Sequence, residues 1–112
     1  MTLSFKWGEF GEVNPIKCVD SKSNDADITY ADATKTTIYI LSENKTKIKL
    51  TINSADFTIV SPNVNWIITK AQSETLDPGN YAGEVHVQDA ANVRKAIFEF
   101  PVFVEKARGN IT

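Results

Sequence analysis

The sequence predicts an all-β protein, an antiparallel β-sandwich of about seven to nine short strands. Val, Ile and Thr together number 31, against four Leu, and β-branched side chains suit a pleated sheet better than a helix. Short apolar runs follow one another closely along the chain, with turn residues between them. A chain of 112 residues is sized for one domain, so we expect residues 1–112 to form a single sandwich.

A hairpin in the first half shows the two-residue period of a half-buried strand. Lysine and aliphatic residues alternate through 45–52, and the run 36–40 before it has a similar apolar pattern. Turn residues fill the stretch 42–44, which predicts that the two runs pair. We expect the aliphatic side chains inside and the lysines outside: Ile38, Ile40, Ile48, Leu50 and Ile52 inward, and Lys45, Lys47 and Lys49 outward.

The remaining strands are predicted from similar short apolar runs. Only 71–75 is suited to a helical turn, and it is too short to connect parallel strands, which takes about a dozen residues or more. The sheets should therefore be mainly antiparallel. Pro101 lacks the N–H that a strand ladder uses, so the last strand should lie at an edge or carry a bulge there. The predicted strands are 3–7, 15–19, 27–30, 57–60, 64–69, 80–88 and 95–105.

Composition excludes several classes of function. The net charge is -2, which removes the general basic field that nucleic-acid-binding proteins use. One Cys and one His cannot build a zinc site or a disulfide framework. The first residues lack the basic start and apolar run of a secretory signal, and no apolar stretch reaches the length of about 18 residues that spans a membrane. We therefore expect a chain made in the cytoplasm, without nucleic acid, membrane, metal or cofactor.

Few residues are candidates for catalysis or metal binding. His86 alternates with Val85 and Val87, so it should face the solvent, and no partner for acid–base work is visible. The aspartates of the stretch 20–32 lack the Asp-x-Asp-x-Asp-Gly spacing of a calcium loop and are expected in a solvated loop. The stretch 8–11 has too few glycines to cradle a phosphate. The sequence therefore predicts no catalytic residue and no enzyme activity.

A corner motif in the second half is the most specific local pattern. Asp77-x-Gly79-x-Tyr81-x-Gly83 is similar to the immunoglobulin-type corner Asp-x-Gly-x-Tyr-x-Cys. In that corner the Tyr hydroxyl bonds back to the backbone at the turn into the penultimate strand. Gly83 stands in the place of the Cys, so the inter-sheet disulfide cannot form.

Cys18 and Trp66 each have two interpretations. Cys18, on an early strand, is either a small buried hydrophobic residue or a reactive thiol. Trp66 shares a face with Val64 and Ile68, which predicts a place in the core. The alternative for Trp66 is a platform on which a sugar stacks.

A wider resemblance extends from about Pro15 to Glu105. Asp27-Ile-Thr-Tyr-Ala31, Val64-Asn-Trp-Ile-Ile-Thr-Lys70 and Leu76-Asp-Pro-Gly-Asn-Tyr81 follow one another, with a hairpin after the first, and then come Glu84-Val-His-Val-Gln-Asp89 and a closing apolar strand. This order resembles small immunoglobulin-like domains of bacteriophage virion proteins, including the N-terminal domains of baseplate upper proteins. The resemblance implies an immunoglobulin-like sandwich and a structural module of a capsid, tail or baseplate. Its partners would be other virion proteins or further copies of itself.

The closing strand predicts an interaction face. Its alternation leaves Ile97 and Phe103 pointing outward, near the edge that Pro101 marks. An aromatic and a β-branched residue on one outer face favour an apolar patch that packs against a partner. The alternative is that the segment 3–7 folds back over this face. The inward residues of the same strand are Phe98, Phe100, Val102 and Val104.

A second surface lies on the outer face of the predicted hairpin. Tyr39 beside the lysines at 45, 47 and 49 favours a cation–π contact or an anionic partner. A solvated edge that discourages strand pairing is the other interpretation. A carbohydrate-binding module is the alternative function of the whole chain, and the aromatic residues available to it are Trp7, Phe10 and Tyr39.

Overall fold

The computed structural model describes residues 2–106, which form two β-sheets packed face to face. One helix, α1, spans Lys70–Thr75, and short 3₁₀ turns lie at Ala33–Lys35 and Ser54–Asp56. The all-β sandwich and the helical turn near 71–75 are therefore confirmed. The eight strands within the described residues are β1 Leu3–Lys6, β2 Val13–Lys17, β3 Thr37–Ser42, β4 Ile48–Ile52, β5 Phe57–Val60, β6 Asn63–Ile67, β7 Gly79–Gln88 and β8 Lys95–Glu105.

The strand order is that of an immunoglobulin-like sandwich. The large sheet has the order β1-β8-β7-β3-β4, and the small sheet has the order β2-β6-β5. The run β8-β7-β3-β4 corresponds to strands G, F, C and C′ of a variable-type domain, and β2-β6-β5 corresponds to B, E and D. All pairings within the two sheets are antiparallel except that of β1 with β8, which is parallel.

The core lies between the two sheets and centres on Trp66, which is fully buried. Phe5 meets the indole edge-on, with the ring centroids 5.8 Å apart, so β1 of the large sheet packs on β6 of the small one. The inward alternation of β8 follows the two-residue period, with Phe98 only partly buried. The other core residues are Leu3, Ile16, Cys18, Ile28, Ile38, Ile40, Ile52, Phe57, Val64, Ile68, Leu76, Val85, Val87, Phe100, Val102 and Val104.

A hydrogen-bonded network fixes Trp66 to the helix that follows it. The indole Nε1 donates to Gln72 Oε1 at 3.0 Å. The same oxygen accepts from the Thr69 backbone N–H at 3.0 Å, and the Thr69 hydroxyl accepts from the Gln72 N–H, which forms a capping box at the start of α1. Gln72 Nε2 donates to Asp56 Oδ2 at 3.0 Å. A buried indole and a buried amide are thereby both satisfied.

The strand predicted at 27–30 is wrong. The Asp27 carboxylate accepts from the Thr29 backbone N–H at 3.0 Å and from its hydroxyl at 2.7 Å. Such a local turn competes with a strand ladder for the backbone. Ile28 is nevertheless fully buried, and its N–H donates to Ser61 Oγ at 3.0 Å. This loop therefore contributes to the core without joining either sheet.

The inward pattern predicted for β4 is wrong at Ile48. The β3–β4 ladder runs in register through Ile40 and Leu50. The next pair joins Leu41 to Ile48, which leaves Lys49 as an extra, bulged residue. Because side chains alternate with a period of two, this shift moves Ile48 to the outer face. Ile48 is consequently 61% exposed.

Pro101 lies where the edge of β8 ceases to be open. β1 pairs only with Val102–Glu105 of β8. The Trp7 N–H donates to the Glu105 carbonyl at 2.8 Å, and the backbone groups of alternate residues point to the same side of a strand. The nitrogen of Pro101 therefore faces the open side, where its missing N–H breaks no bond to β7. The predicted edge exists for the first part of β8 and not for the whole strand.

Phe100 occupies the space beside Gly83 in the core. The two residues pair directly across β7 and β8, and the Phe100 ring is 6% exposed. A Cβ at position 83 would overlap that ring. Position 83 is where the immunoglobulin-type corner carries its Cys, and here the Phe100 ring fills the space that a side chain at this position would take.

We expect Gly83→Ala to lower the free energy of unfolding by about 1–3 kcal/mol, the usual cost of overpacking a core. Urea unfolding of the wild type and the variant measures the change. Gly83→Ala combined with Phe100→Leu should recover part of the loss, since the smaller side chain relieves the overlap. An unchanged midpoint for Gly83→Ala would show that the ring does not cover position 83.

Candidate interaction surface

The sandwich corner consists of the turn into β7 and the tyrosine that follows it. The Tyr81 hydroxyl donates to the Asp77 carbonyl at 2.7 Å. Burial raises the pKa of Tyr81, and the nearby Asp77 charge adds to the shift. Gly79 has a φ of 149°, a conformation that favours glycine. The corner motif thus sets the direction in which the chain leaves α1 and enters the large sheet.

Ile97 and Phe103 both lie on the outer face of the large sheet. They are 53% and 38% exposed, respectively. Glu99 and Pro101 lie between them on the same face of β8 and are exposed as well. The predicted apolar patch is therefore interrupted by a carboxylate, and the two side chains form separate exposed positions.

The N-terminal strand does not cover this face. β1 pairs in parallel along the edge of β8, with Leu3 beside Val102 and Phe5 beside Val104. Leu3 and Phe5 are buried in the core. The alternative in which the segment 3–7 folds back over the outer face is therefore wrong, because its apolar residues are used between the sheets.

The three lysines of the hairpin do not form the expected row on a strand. Lys45 and Lys47 lie in the turn before β4, and Lys49 is the bulged residue. The Ser42 hydroxyl accepts from the backbone N–H groups of Thr46 and Lys47, both at 3.1 Å, which holds this stretch in a turn. The prediction that three lysines line the outer face of β4 is therefore wrong, because the hydrogen bonds of the turn delay the start of β4 to Ile48.

Charged and aromatic side chains meet on the outer face instead. Lys45 Nζ donates to Glu99 Oε1 at 2.7 Å, and this bond raises the pKa of Lys45. Glu99 lies directly opposite Glu84 in the β7–β8 ladder. His86 Nε2 is 2.9 Å from Glu84 Oε1. The Tyr39 ring contacts the His86 ring edge-on, with the ring centroids 4.8 Å apart. The cation–π contact seen within residues 2–106 joins Arg94 to Tyr30 instead of a hairpin lysine to Tyr39.

We call this group of residues the outer polar cluster: Tyr39, Lys45, Glu84, His86 and Glu99. Like charges directly opposite in a sheet destabilise it, and here the two glutamates are each bonded to a basic side chain. Sequence reasoning missed the cluster because it depends on the register of three strands. The one signal in the sequence was the spacing of Glu84 and His86, which are two residues apart on β7 and therefore lie on the same face.

A cleft of about 470 Å³ lies over the same sheet. Ala82 and Pro101, opposite each other in β7 and β8, give part of its lining an apolar character. Its charged and polar lining comes from the β3–β4 turn, from β7 and β8, and from the residue before β1. Those side chains are Thr2, Glu43, Lys45, Asn80 and Glu99.

The aromatic residues considered for sugar binding do not share one platform. The backbone N–H of Trp7 donates to the Glu105 carbonyl at the end of β8, whereas Tyr39 lies beside Glu84, which is opposite Glu99. Glu99 and Glu105 are six residues apart on β8, which corresponds to about 20 Å along an extended strand. Phe10 is exposed in the connection between β1 and β2.

The candidate thiol and the acidic loop have structural roles. Cys18 is fully buried, and burial raises its pKa to about 11. Such a thiol stays protonated at neutral pH, which favours the core interpretation over the reactive one. Hydrogen bonds from Thr34 lower the pKa of Asp32, which caps the first 3₁₀ turn. No group of three or more metal-ligating side chains lies together within residues 2–106.

The fold and the corner define the class of protein as an all-β sandwich with immunoglobulin strand order. Comparisons with protein-family models, with curated proteins and with solved structures found no match. Among the described helices, none has the length and apolar character needed to cross a membrane.

We expect Tyr81→Phe to lower the free energy of unfolding by about 0.5–1.5 kcal/mol, the net value of one hydrogen bond. The ring keeps its packing in this variant, so only the bond to Asp77 is lost. Denaturant melts of Tyr81→Phe measure the effect, and Tyr39→Phe is the matched control. Equal stability of Tyr81→Phe and wild type would contradict a stabilising corner.

Proposed function

We propose that the chain is a non-enzymatic structural module of a bacteriophage virion, in its capsid, tail or baseplate, that acts by protein–protein assembly. The observation that carries the proposal is the sandwich corner, in which Tyr81 bonds to Asp77 at the end of the turn from α1. That corner lies within the segment whose motif order resembles virion immunoglobulin-like domains. Fold alone does not specify activity, so the proposal rests on this motif order together with the surface.

The exposed faces of both sheets support an assembly role. Ile48, Ile97 and Phe103 are exposed on the large sheet. Val13 and Ile67, which pair across β2 and β6, are exposed on the small sheet. A rigid sandwich that presents nonpolar side chains among polar ones on two faces is suited to contacts with neighbouring subunits.

The cleft over the large sheet favours a carbohydrate-binding module as the second candidate. Its hydrogen-bonding side chains, Asn80, Lys45 and Glu99 among them, could bind sugar hydroxyls. Tyr39 is the aromatic residue of that face, and its ring already contacts His86. Without a free aromatic platform, this candidate has weaker support than assembly.

Particle composition tests the proposed function. Phage particles from the strain that encodes the chain would be purified on a density gradient and quantified by mass spectrometry. We expect the chain to co-sediment with the major virion proteins at a fixed stoichiometric ratio, whereas abundant host cytoplasmic proteins stay outside the particle fraction. A chain that remains with the host proteins would contradict a virion role.

A glycan array separates the two candidates. We expect no bound glycan for the wild type. The carbohydrate candidate would replace the assembly proposal if the wild type bound a glycan and if both Asn80→Ala and Glu99→Gln abolished that binding. Gln88→Ala, at the other end of β7 from Asn80, is the control and should retain it.

A further inference from the structure

The first part of β8 presents an open edge. On the side away from β7, β1 pairs with β8 only over Val102–Glu105. In the described part of the chain, residues 95–101 have no strand partner on that side. An unpaired strand edge offers a row of backbone donors and acceptors to another chain.

The backbone of this edge is oriented for pairing. The carbonyl of Glu105 accepts from Trp7 on the open side of β8, and backbone groups alternate sides along a strand. Lys95, Ile97 and Glu99 therefore direct their N–H and C=O groups into the open edge. Pro101 follows them without an N–H and ends the run of donors.

The side chains of the same three residues are complementary to themselves. Lys95, Ile97 and Glu99 are all exposed on the outer face of β8. In an antiparallel pairing of two identical strands centred on the middle residue, the first residue of one copy lies opposite the last residue of the other. Here that places a lysine opposite a glutamate twice, with isoleucine opposite isoleucine between them.

We propose that two copies of this chain pair antiparallel through residues 95–99 of β8, which joins their large sheets into one continuous sheet. Ile97 of one copy lies opposite Ile97 of the other, and each Lys95 lies opposite the Glu99 of the other copy. On the inner face each Ala96 lies opposite a Phe98, a small residue against a large one. The interface is isologous, as the commonest dimers are.

The charge distribution on the outer face supports this pairing. Glu99 lies opposite Glu84 within the sheet, and Lys45 and His86 are the basic groups bonded to these two carboxylates. The Lys95 of a second copy brings a further positive charge beside Glu99. Opposite charges on facing strands stabilise a sheet, whereas like charges destabilise it.

The other edges are less suited to strand addition. On β2, Cys18 directs its N–H to Pro62 on the β6 side, so Pro15 and Lys17 have their backbone groups on the open side, where Pro15 lacks a donor. The edge strand β4 carries the Lys49 bulge, a feature that discourages pairing. β1, the outermost strand of the large sheet, and β5 are each only four residues long. The open part of β8 is therefore the edge with matched charges and a continuous run of donors.

Charge reversal tests the pairing by sedimentation equilibrium over a concentration series. The wild type should self-associate to a dimer. Lys95→Glu places two glutamates opposite each other at both ends of the pairing, and we expect the dimer dissociation constant to rise about tenfold or more. Combining Lys95→Glu with Glu99→Lys restores opposite charges and should return the constant to within about threefold of wild type. Lys22→Glu, the same charge change on an exposed loop, is the matched control and should dimerise as the wild type does.

Three outcomes overturn the proposal: a wild type that is monomeric throughout the series, a double variant as weak as Lys95→Glu alone, or an equal loss in Lys22→Glu. Circular dichroism melts establish that each variant is folded before its association is measured. The inference deepens the proposed assembly role and rests on it for its biological purpose. A monomeric chain that still co-sediments with particles would overturn the pairing and leave the virion role standing.

Discussion

The sandwich depends on the burial of one indole and on the partner of its N–H group. Trp66 is fully buried between the sheets, and a donor buried there without a partner would cost about 1–3 kcal/mol. Gln72, the third residue of α1, supplies the acceptor through its Oε1 atom, 3.0 Å from the indole nitrogen. The amide of Gln72 is itself held by the Thr69 cap and by Asp56. The bond to the indole therefore ties β6, the connection before β5 and α1 into one unit.

This unit also determines how the two sheets are joined. Trp66 meets Phe5 of β1 edge-on, which links the small sheet to the large one. α1 leads into the turn at Asp77 and Tyr81, where β7 begins. The Trp66–Gln72 network and the Phe5–Trp66 contact therefore fix how the small sheet packs on the large one.

The two-residue hydrophobic period predicted most of the strands, because one face of each strand must be apolar to pack in the core. The residues of β8 alternate without interruption, so the inward set and the exposed Ile97 and Phe103 could be assigned from sequence. The same reasoning failed at Ile48, because a bulge shifts the period by one residue and leaves no mark in the hydrophobic pattern. It also failed at 27–30. There the Asp27 carboxylate accepts from the Thr29 backbone N–H, and this local turn takes the place of pairing with another strand.

The candidate surface was harder to predict than the fold, because it is built by pairings between distant segments. Glu84 and Glu99 are neighbours only through the register of β7 and β8. Lys45 reaches Glu99 from a turn 54 positions earlier in the chain. The open edge of β8 depends on where β1 begins to pair, and a short N-terminal strand carries no signal for its partner. Sequence reasoning therefore found most of the strands and placed the expected patch on residues that a carboxylate separates.

Native-state hydrogen exchange on Gln72→Met tests the central role of the indole bond most directly. Methionine matches the length of glutamine, and its thioether sulfur is only a weak hydrogen-bond acceptor, so the buried indole N–H loses its strong acceptor. The account predicts that the amides of Val64 in the small sheet and Val85 in the large sheet lose protection by the same free energy, about 1–3 kcal/mol, while Gln88→Met leaves both unchanged. Loss of protection confined to α1, with Val64 and Val85 as protected as in the wild type, would contradict it.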